Sequence, residues 1–318
     1  MFKIAFFGTK TYYRPFLEPA FMANGINARF FDIALAPETI FFAKGNDGIC
    51  VPYTCAISRE MAHRLYAMGV KYIFMVGISK NGMQELEDMI QIIPVGAYST
   101  DSVAEYSFAL FLAVNRQIHR GYIRVRDYNI NRSGLMGKNI AGSTVGIIGM
   151  GRVGRRVAEI YQSFRANVIT YDVTERESNP AESVPLEELL ERSDVISIHI
   201  PTTEQTYHMI NRESISHMKK DAILVSTSGE GIIEYYDLME ALRKKKIGAA
   251  AIDYNRHQDD VFEVGSRMDA EELQDVIGQI SALNNTLITC NLSYFTEETL
   301  QLIADDFVNK IKELERPV

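Results

Sequence analysis

A glycine-rich turn between an apolar strand and a helix is the strongest constraint on how this chain of 318 residues folds. The turn is Gly149-Met150-Gly151-Arg152-Val153-Gly154, and it directly follows Thr144-Val145-Gly146-Ile147-Ile148, an apolar run typical of a buried strand. A helical pattern begins at about Arg152, and the next predicted strand ends at Asp172. An acidic residue about 20 positions after such a turn is typical of a dinucleotide-binding βαβ unit.

Each part of this unit has a physical task. Gly149 permits the tight turn, Gly151 lets the backbone approach a pyrophosphate, and Gly154 lets the helix pack closely on the strand. The backbone N–H groups at the helix start, at Arg152 and Val153, would hold the phosphates. Asp172 would accept hydrogen bonds from ribose hydroxyls and repel a 2′-phosphate, so we expect NAD rather than NADP. A glycine-rich turn without a ligand is the less favoured alternative.

Strand and helix patterns alternate along the chain, which predicts an α/β fold with parallel sheets and helices on both faces. One long helix is expected from Ser102 to about Asp127, and the stretch from Gln258 to about Asp275 is expected to be an excursion outside the core. Thr296 is expected to cap a final amphipathic helix. The predicted strands are 3–7, 28–31, 48–51, 71–76, 92–95, 144–148, 168–171, 195–198, 222–225, 249–252 and 287–289.

The composition excludes several classes of function. The formal net charge of −8 argues against a nucleic-acid partner, and no apolar run reaches the length that spans a membrane. Three scattered cysteines predict no disulfide framework, and no Cys/His cluster has the spacing of metal ligands. The first residues run straight into a strand-like segment, without the pattern of a secretory leader. We therefore expect a cytoplasmic protein without a bound metal.

The sequence resembles the D-2-hydroxyacid dehydrogenase family, closest to its D-lactate dehydrogenase branch. The resemblance implies two Rossmann-like domains: a flavodoxin-like substrate domain of 1–99 plus 293–318, to which the C-terminal helix returns, and an NAD-binding domain of 100–292. It also implies a homodimer formed through the NAD-binding domain, with the long helix from Ser102 as the contact element. The motifs that match are Val103-Ala104-Glu105, the glycine loop, 194–201, 206–210, 222–253, 287–289 and 296–298.

The resemblance also implies roles for particular residues. Residues expected near the cofactor, besides the glycine loop and Asp172, are His199, Pro201, Thr206, Thr227 and Asp253. Residues expected to line the substrate pocket are Val76, Gly77 and Tyr98.

Family enzymes reduce 2-oxo acids with an Arg, a Glu and a His, and the resemblance aligns these with Gly229, Gln258 and Asn291. Glycine offers no cation to anchor a carboxylate, and the neighbouring Glu230 would repel one. Asparagine cannot exchange a proton near neutral pH, so general acid catalysis worth about 10²–10⁴ in rate would be absent, although its amide can still donate a hydrogen bond. The predicted site is neutral where the family's is charged.

Four residues are candidates for an altered chemistry. Arg256, His257 and Lys80 could supply substitute groups, but a solvent-facing loop is the favoured interpretation for Arg256 and His257. Cys290 could act as a nucleophile beside the nicotinamide, although a lone cysteine next to a strand is more often a small buried apolar residue.

Several functional hypotheses remain open. The chain could be an NAD(H)-binding pseudoenzyme or sensor, or an oxidoreductase with a different, uncharged or cationic substrate. The alternative is an active NAD-dependent D-2-hydroxyacid dehydrogenase of the lactate type, which is chemically least favoured. A module that binds only protein partners would give no reason for Asp172 and the glycine loop.

Overall fold

A computed structural model describes residues 1–52, 55–76, 83–96, 99–174, 181–254 and 270–315. The chain forms two compact units: the described residues of 1–99 together with those of 295–318, and the described residues of 100–294. Each unit is built on a fully parallel sheet covered by helices, which confirms the predicted fold class.

The strands and helices follow one another in an alternating order. The strands are β1 (Lys3–Phe7), β2 (Asn27–Phe31), β3 (Gly48–Pro52), β4 (Tyr72–Val76), β5 (Gln91–Val95), β6 (Thr144–Ile148), β7 (Asn167–Tyr171), β8 (Glu182–Ser183), β9 (Val195–Ile198), β10 (Ile223–Ser226), β11 (Ala249–Asp253) and β12 (Thr286–Thr289). The α-helices are α1 (Arg14–Ala23), α2 (Arg59–Ala67), α3 (Thr100–Asn115), α4 (Ile118–Arg126), α5 (Arg152–Ser163), α6 (Leu186–Arg192), α7 (Arg212–Ser216), α8 (Tyr235–Arg243), α9 (Ala270–Ser281) and α10 (Glu297–Leu314).

The sheet of the larger unit has the strand order β12-β11-β10-β9-β6-β7-β8. Its central strands β6, β9, β10 and β11 are buried on both faces, so apolar residues occupy successive and not merely alternate positions. On β6, Val145 and Ile147 pack with helices α3 and α5, whereas Ile148 belongs to the core on the opposite face. The strand order reverses between β6 and β9, and this is the point at which open α/β sheets bind ligands, beyond the carboxyl ends of the strands.

The sheet of the smaller unit has the order β2-β1-β3-β4-β5, which is the flavodoxin-like order. The C-terminal helix α10 completes this unit, because Phe307 packs against an aromatic core. Its ring centroid lies 5.3 Å from that of Phe6, 5.8 Å from that of Phe21 and 5.6 Å from that of Phe74. Thr296 caps this helix as predicted, because its hydroxyl accepts a hydrogen bond of 3.2 Å from Thr299 N.

The structure corrects two predictions about the helices. The single helix expected from Ser102 to about Asp127 is two helices, α3 and α4, separated at Gln117, whose φ of 54° is left-handed. The final part of the stretch expected to be irregular up to Asp275 belongs to α9, and Val276 and Ile280 of that helix are buried in the core. Within the described parts of the chain, no helix is both long enough and apolar enough to cross a membrane.

Candidate functional site

The glycine loop lies at the carboxyl end of β6, and its three glycines occupy three different environments. Gly149 has a φ of 96°, and a Cβ there would lie 2.5 Å from the carbonyl oxygen of His199. A Cβ on Gly154 would lie only 1.8 Å from the carbonyl oxygen of Gly149, so the start of α5 packs directly on the loop. Around Gly151, a Cβ would have no neighbour within 4 Å, which leaves one face of the loop open.

Helix α5 begins directly after Gly151, which is its N-cap residue. Arg152 and Val153 are its first two residues, and N–H groups of a first helical turn have no acceptor inside the helix. Such N–H groups bind phosphates. An open glycine, flanked by two glycines whose Cβ positions are blocked, is the arrangement that a pyrophosphate requires. The residues present therefore fit a dinucleotide.

Asp172 follows β7 and is hydrogen-bonded to the loop. Its Oδ2 accepts a hydrogen bond of 2.6 Å from Met150 N, and its Oδ1 accepts one of 2.9 Å from Thr174 N. The carboxylate is thus fixed beside the first turn of the loop, where the sequence predicts a ribose-binding acid. Its contact with Met150 N was not foreseen from the sequence.

His199 follows β9 and belongs to a row of hydrogen-bonding side chains. Its Nε2 lies 2.8 Å from Ser197 Oγ, and its Nδ1 lies 3.4 Å from Thr227 Oγ1. Ser197 Oγ in turn lies 3.3 Å from Ser107 Oγ on α3. Burial lowers the pKa of His199 to about 3, so the imidazole is neutral at physiological pH. This environment makes His199 a rigid neutral hydrogen-bonding group and not a general acid.

The loop after His199 is held in shape by Thr206. The Thr206 hydroxyl donates a hydrogen bond of 2.7 Å to the carbonyl oxygen of Pro201 and accepts one of 2.8 Å from Thr203 N. Thr206 is only 8% exposed, so its hydroxyl is used within the loop. The predicted contacts of Pro201 and Thr206 with the cofactor remain predictions.

Asp253, the last residue of β11, organises the turn that contains Asn291. The carboxylate is buried and accepts hydrogen bonds of 2.7 Å from Thr289 Oγ1, 2.9 Å from Leu292 N and 2.7 Å from Ser293 N. Asn291 itself has a left-handed φ of 55°, a conformation that asparagine tolerates better than most residues. Asp253 therefore fixes the backbone that follows Asn291 and also binds the Thr289 side chain that precedes it.

Gly229 lies against the side chain of Thr202, which is not among the predicted site residues. A Cβ on Gly229 would lie 2.6 Å from Thr202 Oγ1. That hydroxyl oxygen is buried and has no hydrogen-bond partner among the described residues. The methyl group of Thr202 fills the adjacent space, since a Cβ on Gly231 would lie 2.8 Å from it. Thr202 thus occupies the volume into which a side chain at position 229 would extend, and no sequence motif marks it.

Other predicted site residues lie elsewhere. Val76 ends β4 in the smaller unit and is half-buried. Cys290 is exposed, so the expectation that it is a buried apolar residue is wrong; it follows the last residue of an edge strand and lies outside the sheet. Predicted residues that lie outside the described part of the chain are Gly77, Lys80, Tyr98, Arg256, His257 and Gln258.

The loop, the acid beside it and the position of the strand reversal define a dinucleotide-binding domain of the Rossmann class. A family model for the NAD-binding domain of D-isomer specific 2-hydroxyacid dehydrogenases matches residues 108–289. The chain belongs to this family, and the cofactor of its larger unit is NAD.

Known relatives agree along nearly the whole chain. A 2-hydroxyacid dehydrogenase homolog of Haemophilus influenzae is 34% identical, and the match covers 98% of this chain and 96% of that protein. The D-lactate dehydrogenase of Escherichia coli is 30% identical, with coverage of 99% and 97%. The structure of the Salmonella D-lactate dehydrogenase superposes with a TM-score of 0.87 at 31% identity, with coverage of 99% and 98%.

Proposed function

We propose that this protein binds NAD(H) but does not reduce 2-oxo acids by the chemistry of its family, and that it acts as an NAD(H)-binding pseudoenzyme. The named relatives include D-lactate dehydrogenases, so D-lactate formation is the activity that similarity alone favours. The residues at the aligned catalytic positions argue against that activity in this chain.

The contact between Gly229 and Thr202 carries this proposal. The resemblance aligns Gly229 with the arginine that anchors the substrate carboxylate. A Cβ at this position would lie 2.6 Å from Thr202 Oγ1, well inside van der Waals contact. A side chain at position 229 therefore requires the Thr202 hydroxyl to move, whereas glycine fits these surroundings without any change.

The aligned acid position supports the same conclusion. Asn291 has an amide where the family has an imidazole, so the proton that a carbonyl oxygen must receive during reduction has no donor there. His199 does not replace it, because burial lowers its pKa to about 3. Among the described residues at the aligned catalytic positions, neither a cation for the carboxylate nor an acid for the carbonyl is present.

A second candidate is the reduction of an uncharged carbonyl or imine substrate. It is favoured by the rigid turn at Asn291, where Asp253 receives hydrogen bonds from Thr289, Leu292 and Ser293. These bonds fix the backbone next to Asn291, and the side-chain amide of asparagine can donate a hydrogen bond to a carbonyl oxygen.

Calorimetric titration with NADH, followed by the absorbance decay of NADH over a panel of substrates, tests both candidates. The panel contains pyruvate, a branched 2-oxo acid, aldehydes and imines, with the E. coli D-lactate dehydrogenase as the positive control. We expect NADH to bind and no 2-oxo acid to be reduced above the background rate. Rapid oxidation of NADH by a 2-oxo acid would contradict the proposal, whereas turnover of only aldehydes or imines would favour the second candidate.

Reconstruction of the charged site is the complementary test. The triple variant Gly229→Arg, Gln258→Glu and Asn291→His restores the aligned residues but leaves Thr202 in the way. We expect the quadruple variant, which adds Thr202→Ala, to reduce pyruvate at least tenfold faster than the triple variant. Equal activity with and without Thr202→Ala would show that Thr202 does not exclude the arginine.

We also propose a homodimer formed through α4 and the segment after it. Apolar side chains cluster on this surface, which is unusual for a monomer. Each is more than half exposed: Ile118, Tyr122, Ile123, Val125, Tyr128, Ile130 and Met136. We expect a sedimenting mass of twice 35.9 kDa, reduced to the monomer by Tyr122→Lys with Val125→Lys. The control is Tyr66→Lys at a tyrosine of the smaller unit that is 57% exposed. A monomeric wild type, or a double variant that stays dimeric, would exclude this interface.

The proposed compartment is the cytoplasm. Cys290 is an exposed free thiol, and exposed free thiols persist in reducing compartments. Fractionation of cells that produce the protein tests this assignment; recovery in the membrane or in the medium would exclude it.

A further inference from the structure

An imidazole and two carboxylates converge between helices α6 and α7. Glu187 and Glu191 are four residues apart on α6, so they lie on one face of that helix. His217 directly follows α7, and its Nδ1 lies 3.4 Å from Glu187 Oε1 and 3.6 Å from Glu191 Oε1. One ligand atom from each of the three residues lies within 4.8 Å of the other two.

The charges in this cluster do not balance. Glu188, on the same helix, is paired with Arg192 at 2.6 Å. In the part of the chain that the structure describes, the ion pairs of Glu187 and Glu191 are both with His217. A single imidazole carries at most one positive charge, so the two carboxylates keep a net negative charge in either state of the ring.

We propose that Glu187, Glu191 and His217 bind a divalent transition-metal ion of the Zn²⁺ type. Ligands about 2.1 Å from a tetrahedral ion are about 3.4 Å from each other, close to the two distances measured from His217 Nδ1. The side chains of Glu187 and Glu191 are 69% and 59% exposed, so water can complete the coordination. An imidazole ligand selects against Mg²⁺ and Ca²⁺, which prefer oxygen ligands.

The metal site is separate from the dinucleotide site. Helices α6 and α7 lead into the amino ends of β9 and β10, whereas the glycine loop follows the carboxyl end of β6. In a parallel sheet, the amino ends and the carboxyl ends of the strands lie on opposite sides of the domain. The ion therefore links α6 to α7 as a structural clip and takes no part in the chemistry at the nicotinamide.

Calorimetric titration of the chelator-treated full chain with ZnCl₂ tests the proposal. The starting protein carries Cys290→Ser, because an exposed thiol also binds zinc. We expect one zinc ion to bind per chain and Mg²⁺ not to compete with it. The zinc affinity should be at least tenfold weaker in two variants: the single variant His217→Gln and the double variant Glu187→Gln/Glu191→Gln. The control is His63→Gln, which changes an exposed histidine of the smaller unit and is expected to leave the affinity unchanged.

Thermal melting supplies the second measurement. Zinc is expected to raise the Tm of the starting protein and of His63→Gln, but not that of the cluster variants, which should match the starting protein in metal-free Tm and in NADH affinity. Absence of zinc binding in the starting protein, or equal zinc affinity in the starting protein and the cluster variants, would overturn the proposal.

Discussion

Replacing Gly151 or Gly154 by alanine should distinguish the roles of these two glycines, because each variant adds a single methyl group in a different environment. Gly154→Ala places a Cβ 1.8 Å from the carbonyl oxygen of Gly149, so α5 must move away from the loop. Gly151→Ala places its Cβ in open space, at a φ of −68° that alanine adopts freely. We expect the first variant to lose stability and the second to lose affinity for NADH.

The magnitudes follow from the contacts. At Gly154, overpacking against backbone costs about 3 kcal/mol, and the better helix propensity of alanine returns about 1 kcal/mol. The net loss of about 2 kcal/mol lowers Tm by about 4–8 °C for a domain of this size. At Gly151, replacing glycine by alanine at a helix N-cap costs less than about 1 kcal/mol. Its methyl group, however, stands where the pyrophosphate is expected, and a tenfold loss of affinity corresponds to about 1.4 kcal/mol.

Thermal melting of the NADH-free protein and calorimetric titration with NADH measure the two effects separately. The wild type and the two variants are compared at one protein concentration, because binding itself raises Tm. Equal Tm values for Gly154→Ala and Gly151→Ala would refute the packing argument. Unchanged NADH affinity in a folded Gly151→Ala variant would refute the placement of the pyrophosphate.

Three further predictions concern single carboxylates and one imidazole. Asp253→Ala leaves buried N–H groups without an acceptor and should lower the free energy of unfolding by about 3 kcal/mol in urea titrations, and Asp253→Asn by less. A result within error of wild type would exclude the role given to this carboxylate. The pKa of His199 is lowered to about 3, so only the unfolded chain protonates it as the pH falls through 6.5; unfolding in urea at pH 5 should need about 2 kcal/mol less than at pH 7. This difference should shrink in His199→Asn, and an undiminished difference would mean that other groups cause it. Asp172→Ala should weaken NADH binding about tenfold, by about 1.4 kcal/mol, and reduce discrimination against NADPH in paired titrations; a retained preference would place the ribose elsewhere.

Local patterns were sufficient to predict the sheets. Parallel strands buried on both faces are short apolar runs, and such runs mark β6 and β9 clearly in the sequence. The glycine loop was equally predictable, because the roles of its three glycines depend on backbone geometry within six residues. The two-residue edge strand β8 was not predicted, because Glu182 and Ser183 have no apolar pattern.

The break between α3 and α4 shows the limit of local patterns. No proline or glycine marks it, and the left-handed residue is Gln117. Its side chain stabilises the break, since Nε2 donates to the carbonyl oxygen of Val114 at 3.0 Å and Oε1 accepts from Arg120 at 2.9 Å. Glutamine is a good helix former, so its propensity predicts a continuous helix at this position instead of a break.

The remaining features of the site depend on contacts between distant segments. Thr202 meets Gly229 only because the segments that follow β9 and β10 lie side by side. His217 meets Glu187 and Glu191 because α6 and α7 precede those same two strands. No local pattern marks any of these residues, so their contacts can be identified only in the folded chain.

The contact between Thr202 and Gly229 also bears on the order in which substitutions could introduce the family's arginine at position 229. An arginine introduced first enters occupied space, whereas removal of Thr202 first gives up a hydroxyl that has no hydrogen-bond partner among the described residues. Directed evolution that samples one position per round would therefore discard arginine at position 229 before its chemistry could be selected. Libraries that vary positions 202 and 229 together would allow arginine at position 229 to be selected together with a smaller residue at position 202.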